Sequence, residues 1–196
     1  IERKAPVGVS VDDQVSVGPK TFRHGDLRRV MANPSSGFRI LGIDPGLNIT
    51  GYGVLEVGGG RIRLVEAGVI RGKDRSSLPS RLVNLHEGMV EVIEACDPHC
   101  LAIEQLYSHY ERPQTAILMG HARGVLCLAA AQANLPVHDY AATQIKKILT
   151  GNGRAPKTQM QSAVCHQLKL SEPPQPADVA DALAIALTHH YLGRVH

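Results

Sequence analysis

The fold of this chain is decided by the stretch Ile40-Leu41-Gly42-Ile43-Asp44-Pro45-Gly46, an apolar run that ends abruptly in an acid and a Pro-Gly pair. A short apolar run closed by turn residues is typical of a buried β-strand, and we predict one over residues 39–44. Two more strands are predicted over residues 52–57 and 61–70. The glycines at 58–60 between them indicate a hairpin turn, so the first three strands should be antiparallel.

Helices and strands alternate in the rest of the chain. A helix is predicted over residues 79–96, with Ser77 as its cap and Pro79 in its first turn. Further strands are predicted over residues 101–107 and 136–140, and further helices over 115–133, 143–150, 157–170 and 177–192. Strand–helix–strand units require right-handed parallel crossovers. We therefore predict an α/β fold with a mixed five-stranded sheet flanked by helices.

The N-terminal segment differs from the rest. Residues 1–37 are rich in Pro, Gly, Ser and charge and show no sustained apolar period, so we predict a flexible tail or start-site extension before one domain over residues 38–196. Met31 is the expected functional start. Because the sequence contains neither a bilayer-spanning apolar stretch nor a visible signal peptide, we expect a cytoplasmic protein. Cys96 and Cys100 lack the usual zinc spacing, and the cysteines are expected to be free thiols.

Four acids occupy unexpected positions. Asp44 closes the first strand, Glu104 interrupts an apolar strand, and Asp178 and Asp181 open the last helix on one face. Taken singly, Asp44 could be a turn residue and Asp178 a helix cap. Burying a lone carboxylate is costly, however, and several together favour a bound divalent cation. All-oxygen ligands favour Mg²⁺ or Mn²⁺, and two such ions about 4 Å apart can promote phosphodiester hydrolysis.

Basic and aromatic residues predict a nucleic-acid partner. Residues 140–170 contain no Asp or Glu, and this one-sign stretch should attract a polyanion, although a solvated basic face is the alternative. In the loop after Glu104, the aromatic ring of Tyr107, with the basic Arg112 nearby, could stack on unpaired bases, whereas the alternative packs Tyr107 in the core. The basic side chains predicted to contact DNA are Lys146, Lys147, Arg154 and Lys157.

A stripe of small residues marks the long helix over residues 115–133. Ala116, Gly120 and Gly124 recur every four residues, which places them on one face. Glycine weakens a helix, so this face should contact another helix closely. The contact could be internal or could be the seam of a dimer.

Five segments of the chain resemble motifs of the RuvC family, the bacterial Holliday junction resolvases. They are Ile40-Leu41-Gly42-Ile43-Asp44-Pro45-Gly46, Gly51-Tyr52-Gly53-Val54, Ala102-Ile103-Glu104-Gln105, Ala122-Arg123-Gly124-Val125 and Ala177-Asp178-Val179-Ala180-Asp181-Ala182-Leu183-Ala184-Ile185-Ala186. The resemblance implies a ribonuclease-H-like fold and a homodimer. It also implies an endonuclease of DNA recombination and repair, which places paired symmetric nicks in four-way DNA junctions.

The resemblance also implies roles for individual residues. Asp44, Glu104, Asp178 and Asp181 fall on the four catalytic acids of the family, which would hold two Mg²⁺ ions per active site, with Mn²⁺ as a substitute. Two-metal hydrolysis would leave 5′-phosphate and 3′-hydroxyl ends. Tyr107 falls on a base-stacking position that is commonly Phe. Lys146 and Lys157 match lysines near the scissile phosphate, where Lys157 could steady the developing charge. A branch-migration motor complex is the implied protein partner.

Three other interpretations share some of these features. An actin-like ATPase also has a strand followed by Asp-x-Gly, but the sequence lacks that fold's second phosphate loop and its adenosine motif. A non-catalytic junction-binding protein could have the same surface without needing the four acids. Another ribonuclease-H-like nuclease could act on RNA–DNA hybrids or transposon ends.

Overall fold

The computed structural model describes residues 37–72, 77–106 and 113–193, which form one mixed sheet with helices on both faces. The strands are β1 (Phe38–Asp44), β2 (Ile49–Gly58), β3 (Arg61–Arg71), β4 (Cys100–Glu104) and β5 (Val137–Tyr140). The helices are α1 (Leu78–Cys96), α2 (Pro113–Gln132), α3 (Ala142–Thr150), α4 (Lys157–Leu168) and α5 (Ala177–Tyr191). Residues 1–36, including Met31, lie outside the described part, as do Tyr107 and Arg112.

The sheet has the predicted mixed topology. Its strand order is β3-β2-β1-β4-β5. The first three strands are antiparallel, and β4 and β5 run parallel to β1. The fold prediction of a five-stranded α/β sheet flanked by helices is therefore confirmed. No helix within these described ranges has the length and apolar character that a membrane crossing requires.

Several element ends differ from the prediction. β2 begins at Ile49 and α2 at Pro113, three and two residues earlier than predicted. The strand expected over residues 101–107 ends at Glu104, because its neighbour β5 ends at the paired Tyr140 and offers no further strand partner. One more backbone bond, from the Gln105 amide to the Tyr140 carbonyl at 2.9 Å, closes the ladder. The helix expected to reach residue 170 ends at Leu168, because Lys169 takes the left-handed conformation with φ of 54°.

The core lies in two layers, one on each face of the sheet. Alternation along β1 sends Ile40 to the face covered by α5, whereas Leu41 and Ile43 point to the face covered by α1 and α2. All three side chains are fully buried. Burial of each such side chain contributes about 1.5–3 kcal/mol, so both layers hold the central strand in place.

Helix α5 lies directly on the backbone of β1 and β2. Gly42 and Gly53 are paired across these strands and face the helix. A Cβ atom at Gly42 would overlap the Ala182 carbonyl oxygen and lie 2.8 Å from the backbone nitrogen of Ala186. A Cβ atom at Gly53 would lie 2.8 Å from Cγ of Leu183. The glycines therefore let α5 approach the strands without an intervening side chain, which fixes its height above the sheet.

Candidate active site

Two of the four acids meet at one edge of the sheet because their strands are parallel neighbours. Ile43 in β1 pairs with Ile103 in β4, and each is followed by the last residue of its strand. These last residues are Asp44 and Glu104. The carboxyl ends of parallel strands lie at the same edge, so the two carboxylates are adjacent.

The first turns of α5 bring the other two acids to the same edge. Gly51 in β2 pairs with Asp44, and a Cβ atom at Gly51 would overlap the Asp178 carbonyl oxygen. Asp181 follows one turn later on the same helix face. The N-cap position of α5 is Pro176, and no side chain of the described residues caps this helix. Asp178 is therefore in the first turn and is not the cap.

The electrostatics show that the four acids form one cluster. The pKa of Asp44 is raised from 3.8 to about 8, mainly by burial and then by the charges of Glu104, Asp181 and Asp178, in that order. Only Lys157 opposes this rise among the groups that act on Asp44. Asp44 thus interacts with each of the other three acids, and near neutral pH it retains a proton in the absence of a cation.

The pKa of Glu104 is raised for similar reasons. Burial and then the charge of Asp181 raise its pKa, whereas Lys146 and Lys157 lower it. Two lysines of the acid-free stretch therefore lie close enough to Glu104 to act on its charge. Their positions connect the basic stretch to the acid cluster, which the sequence alone predicted only as a possible polyanion surface.

Lys157 covers the cluster from the solvent side. Its Nζ atom lies 3.2 Å from Oδ2 of Asp181, and the two side chains are 74% and 28% exposed. The Asp181 carboxylate raises the pKa of Lys157, so the ammonium remains charged at neutral pH. A pair this exposed contributes little to stability. Its consequence is a fixed positive charge at the mouth of the acid cluster.

The cluster has the donor chemistry of a Mg²⁺ site. It offers carboxylate oxygens from Asp44, Glu104, Asp178 and Asp181, and hard divalent cations prefer such oxygens. The raised pKa of Asp44 shows that the positive side chains nearby do not neutralise these acids. A divalent cation would remove the mutual repulsion and stabilise the ionised carboxylates, so the residues present fit the metal.

The other basic residues of the acid-free stretch lie in different parts of the structure. Lys147 and Arg154 are exposed, on α3 and in the loop that follows it. Lys169, although part of the acid-free stretch, lines a groove with Gly37 and the β2–β3 turn, at the end of β1 opposite to Asp44. The acid-free stretch therefore does not form one continuous basic face.

One residue that supports the site was missed at the sequence level. Arg123 in α2 donates from Nε to the Glu104 carbonyl oxygen at 3.3 Å and forms an ion pair with Asp139. It holds the backbone at the point where β4 ends. The signal was present in the sequence, because Arg123 is the single Lys, Arg, Asp or Glu in α2.

Known proteins are similar to this chain in sequence and in fold. A family model described as "Crossover junction endodeoxyribonuclease RuvC" matches residues 40–189. A protein of that name from Rhodopirellula baltica is 58% identical over 163 residues, which cover 83% of this chain and 92% of the relative. One from Desulforamulus reducens is 43% identical over 76% of this chain and 91% of its own length.

Solved structures of RuvC proteins are also similar to this chain. The RuvC structure from Thermus thermophilus has a TM-score of 0.73 and 34% identity, covering 80% of this chain and 96% of that one. A structure titled "T. thermophilus RuvC in complex with Holliday junction substrate" has a TM-score of 0.72 and 32% identity over the same shares.

The fold and the acid cluster define a nuclease of the ribonuclease-H-like class. The family match then narrows the class, because it spans nearly the whole described part of the chain. The chain belongs to the RuvC family of crossover junction endodeoxyribonucleases. Membership of this nuclease family implies dependence on a divalent metal, and it removes the actin-like ATPase from consideration.

Proposed function

We propose that this protein resolves four-way DNA junctions by paired symmetric nicks, in DNA recombination and repair. The observation that carries the proposal is the convergence of Asp44, Glu104, Asp178 and Asp181 at one sheet edge, with Lys157 over them. The family assignment and the relative solved with Holliday junction substrate support the choice of substrate.

The four acids would hold two Mg²⁺ ions, with Mn²⁺ as a substitute. Asp44 is the best candidate for a ligand shared by both ions, because it interacts with all three other acids. When bound, the ions would supply charge for water activation and for stabilisation of the leaving oxygen. Hydrolysis adds the water oxygen to phosphorus, breaks the bond to the 3′-oxygen and returns a proton to that oxygen. The products are 5′-phosphate and 3′-hydroxyl ends.

The chain's own cations would hold the substrate. Lys157, fixed at Asp181, would lie beside the scissile phosphate and offset the charge that develops there. Lys146 would contact the same strand, since it already acts on Glu104. Lys147 and Arg154 would bind neighbouring phosphates. We further propose that Tyr107 stacks on a junction base and that Arg112 contacts the backbone, both from the loop after β4.

Paired nicks require two active sites, and the surface of α2 suits a homodimer seam. Around Gly120 and Gly124, the described residues leave nothing within 4 Å of an added Cβ, so the internal contact considered above is not found there. The two glycines line an open groove of about 420 Å³. Ile117 and Leu128 border it and are 59% and 51% exposed. A second copy seated here would cover this apolar surface with two-fold symmetry.

A charged side chain in the seam should abolish paired cleavage. We expect Gly124→Arg to give a monomer in sedimentation experiments, because it would bury an unpaired guanidinium at the interface. On a junction held in a supercoiled plasmid, single nicks should replace the paired nicks that linearise it. Glu94→Arg, which adds the same side chain on the exposed surface of α1, is the control and should remain dimeric. A dimeric Gly124→Arg protein with normal paired cleavage would place the seam elsewhere.

The proposed substrate is tested by comparing three nucleic acids of matched sequence with Mg²⁺ present. We expect kcat/KM to be at least about 100-fold higher on a four-way junction than on a linear duplex or an RNA–DNA hybrid. The two nicks should be symmetric, and a DNA ligase should seal the products. Faster cutting of the hybrid would indicate a different nuclease of this fold. Tight junction binding without cutting would indicate a non-catalytic binding protein.

A further inference from the structure

A second group of metal-binding side chains lies in the core, away from the acid cluster. Cys100 begins β4, His138 is in β5, and His189 is in the last turn of α5. His138 pairs with Ala102, which lies two residues after Cys100, so the cysteine and this histidine point to the same face of the sheet. Helix α5 covers that face and adds His189.

The three side chains lie close enough together to surround one metal ion, and one pair already has the separation that zinc requires. One potential ligand atom from each lies within 4.8 Å of the other two. Sγ of Cys100 is 3.4 Å from Nε2 of His189. Zinc bonds of about 2.3 Å to sulfur and 2.0 Å to nitrogen, at the tetrahedral angle, separate the two ligands by about 3.5 Å.

The surroundings orient the ligands. The Tyr140 hydroxyl lies 2.8 Å from Nδ1 of His189, and both residues are buried. If Nδ1–H donates to this hydroxyl, the lone pair of Nε2 is directed towards Cys100. A hydrogen bond to the second ring nitrogen is the usual support of a zinc-bound histidine. In that tautomer, Tyr140 holds the ring in a metal-binding orientation.

We propose that Cys100, His138 and His189 bind one transition-metal ion, with Zn²⁺ as the best match. A thiolate and two imidazoles prefer Zn²⁺ to Mg²⁺, so this site would not compete with the carboxylates for the same ion. Cys100 and His189 are buried, whereas His138 is half-buried. The fourth ligand would be a water molecule on the side of His138.

Such an ion would fasten the helix that carries two of the catalytic acids. It would join the C-terminal turn of α5 to β4 and β5. His189 follows Asp178 by 11 residues in the same helix, which corresponds to about 16 Å. The bound metal would therefore act at a distance from the acid cluster, by holding α5 on the sheet, and would take no part in the reaction.

The test is a titration of the metal-free full-length protein with Zn²⁺ or Co²⁺ in excess Mg²⁺. We expect one ion per chain and, with Co²⁺, the absorption band of a thiolate-to-metal charge transfer. Zn²⁺ at 100 times its Kd should raise Tm by roughly 5–10 °C. The half-buried His138 makes His138→Gln the variant most compatible with folding. It should lose the band, most of the affinity and the rise in Tm, as should Cys100→Ala.

Matched variants separate this site from other ligands. Cys165→Ser and His99→Ala remove the same ligand types elsewhere and should keep the stoichiometry and the band. Asp44→Asn should keep the band as well, since the acid cluster contributes no thiolate. Unchanged Co²⁺ binding and an unchanged band in folded His138→Gln would overturn the proposal. So would wild-type protein that binds no Zn²⁺ in excess Mg²⁺.

Discussion

Replacing Asp44 with Asn should lower the nicking rate of a four-way junction by at least about 10³-fold while leaving junction affinity intact. The change keeps the shape of the side chain and removes the carboxylate that interacts with all three other acids. Single-turnover cleavage with Mg²⁺ measures the rate, and a gel shift under the same conditions measures binding. Removal of one negative charge should leave DNA binding equal or slightly tighter.

In the absence of metal, Asp44→Asn should be more stable than wild type, and this difference should grow as the pH rises. The unfolded chain loses the Asp44 proton near pH 4, whereas the folded protein keeps it until about pH 8. Between these values the folded state binds the extra proton, so wild-type stability falls by about 1.4 kcal/mol per pH unit through this group. The Asn side chain does not titrate in this range, so the stability of the variant does not fall with pH through this position. The Tm of Asp44→Asn relative to wild type should therefore rise by roughly 3–6 °C per pH unit between pH 5 and 7.

Controls separate charge removal from a general effect on the fold. Asp97→Asn changes an exposed acid beside the opposite end of β4, and its Tm should follow the wild-type pH dependence. Added Mg²⁺ should raise the Tm of wild type more than that of Asp44→Asn, so the difference in Tm between the two proteins should become smaller. Near-normal nicking by Asp44→Asn would contradict the proposed role of the cluster. Equal pH slopes for the two proteins would contradict the burial of an unneutralised carboxylate.

The sequence predicted most of the fold because its signals are local. The apolar run before Asp44 and the glycines at 58–60 depend only on neighbouring residues, and they correctly placed β1 and the β2–β3 hairpin. The Ser77 cap was predicted for the same reason, and its side chain accepts from the Ser80 amide. The end of β4 depends instead on where β5 stops, which no local pattern encodes.

The site was predicted in part. The four acids were identifiable because acids on apolar elements are costly, and their roles at the site remain proposals. Their convergence depends on the pairing of Asp44 with Gly51 and on the contact between Gly51 and Asp178, which are tertiary facts. The approach of Cys100 to His189 joins residues 89 positions apart. The spacing of Cys96 and Cys100 along the chain therefore gives no indication of this group of side chains.

Gly42→Ala should be among the most damaging single-methyl changes in the described part of the chain. The added Cβ would overlap the Ala182 carbonyl oxygen, which belongs to the helix backbone and cannot rotate away. We expect a loss of about 3 kcal/mol or more in the free energy of unfolding, measured by urea denaturation. The displaced α5 should also move Asp178 and Asp181 away from Asp44. Misplacement of reacting groups by about 1 Å can cost 100-fold, so nicking should fall by about that factor.

Two further variants test whether overlap with the backbone of α5 causes the loss of stability in Gly42→Ala. Gly120→Ala adds the same methyl group where the described residues of one chain leave open space, and on the monomeric Gly124→Arg background, where the proposed dimer seam is not formed, it should gain about 0.5–1 kcal/mol through helix propensity. Ala186→Gly in the Gly42→Ala background removes the side-chain contact at 2.8 Å but leaves the carbonyl overlap. It should therefore not restore stability. Full rescue by Ala186→Gly would assign the clash to side chains, and wild-type behaviour of Gly42→Ala would mean that α5 does not lie on β1. In either case the close approach of α5 to the strand backbone could not be what positions Asp178 and Asp181.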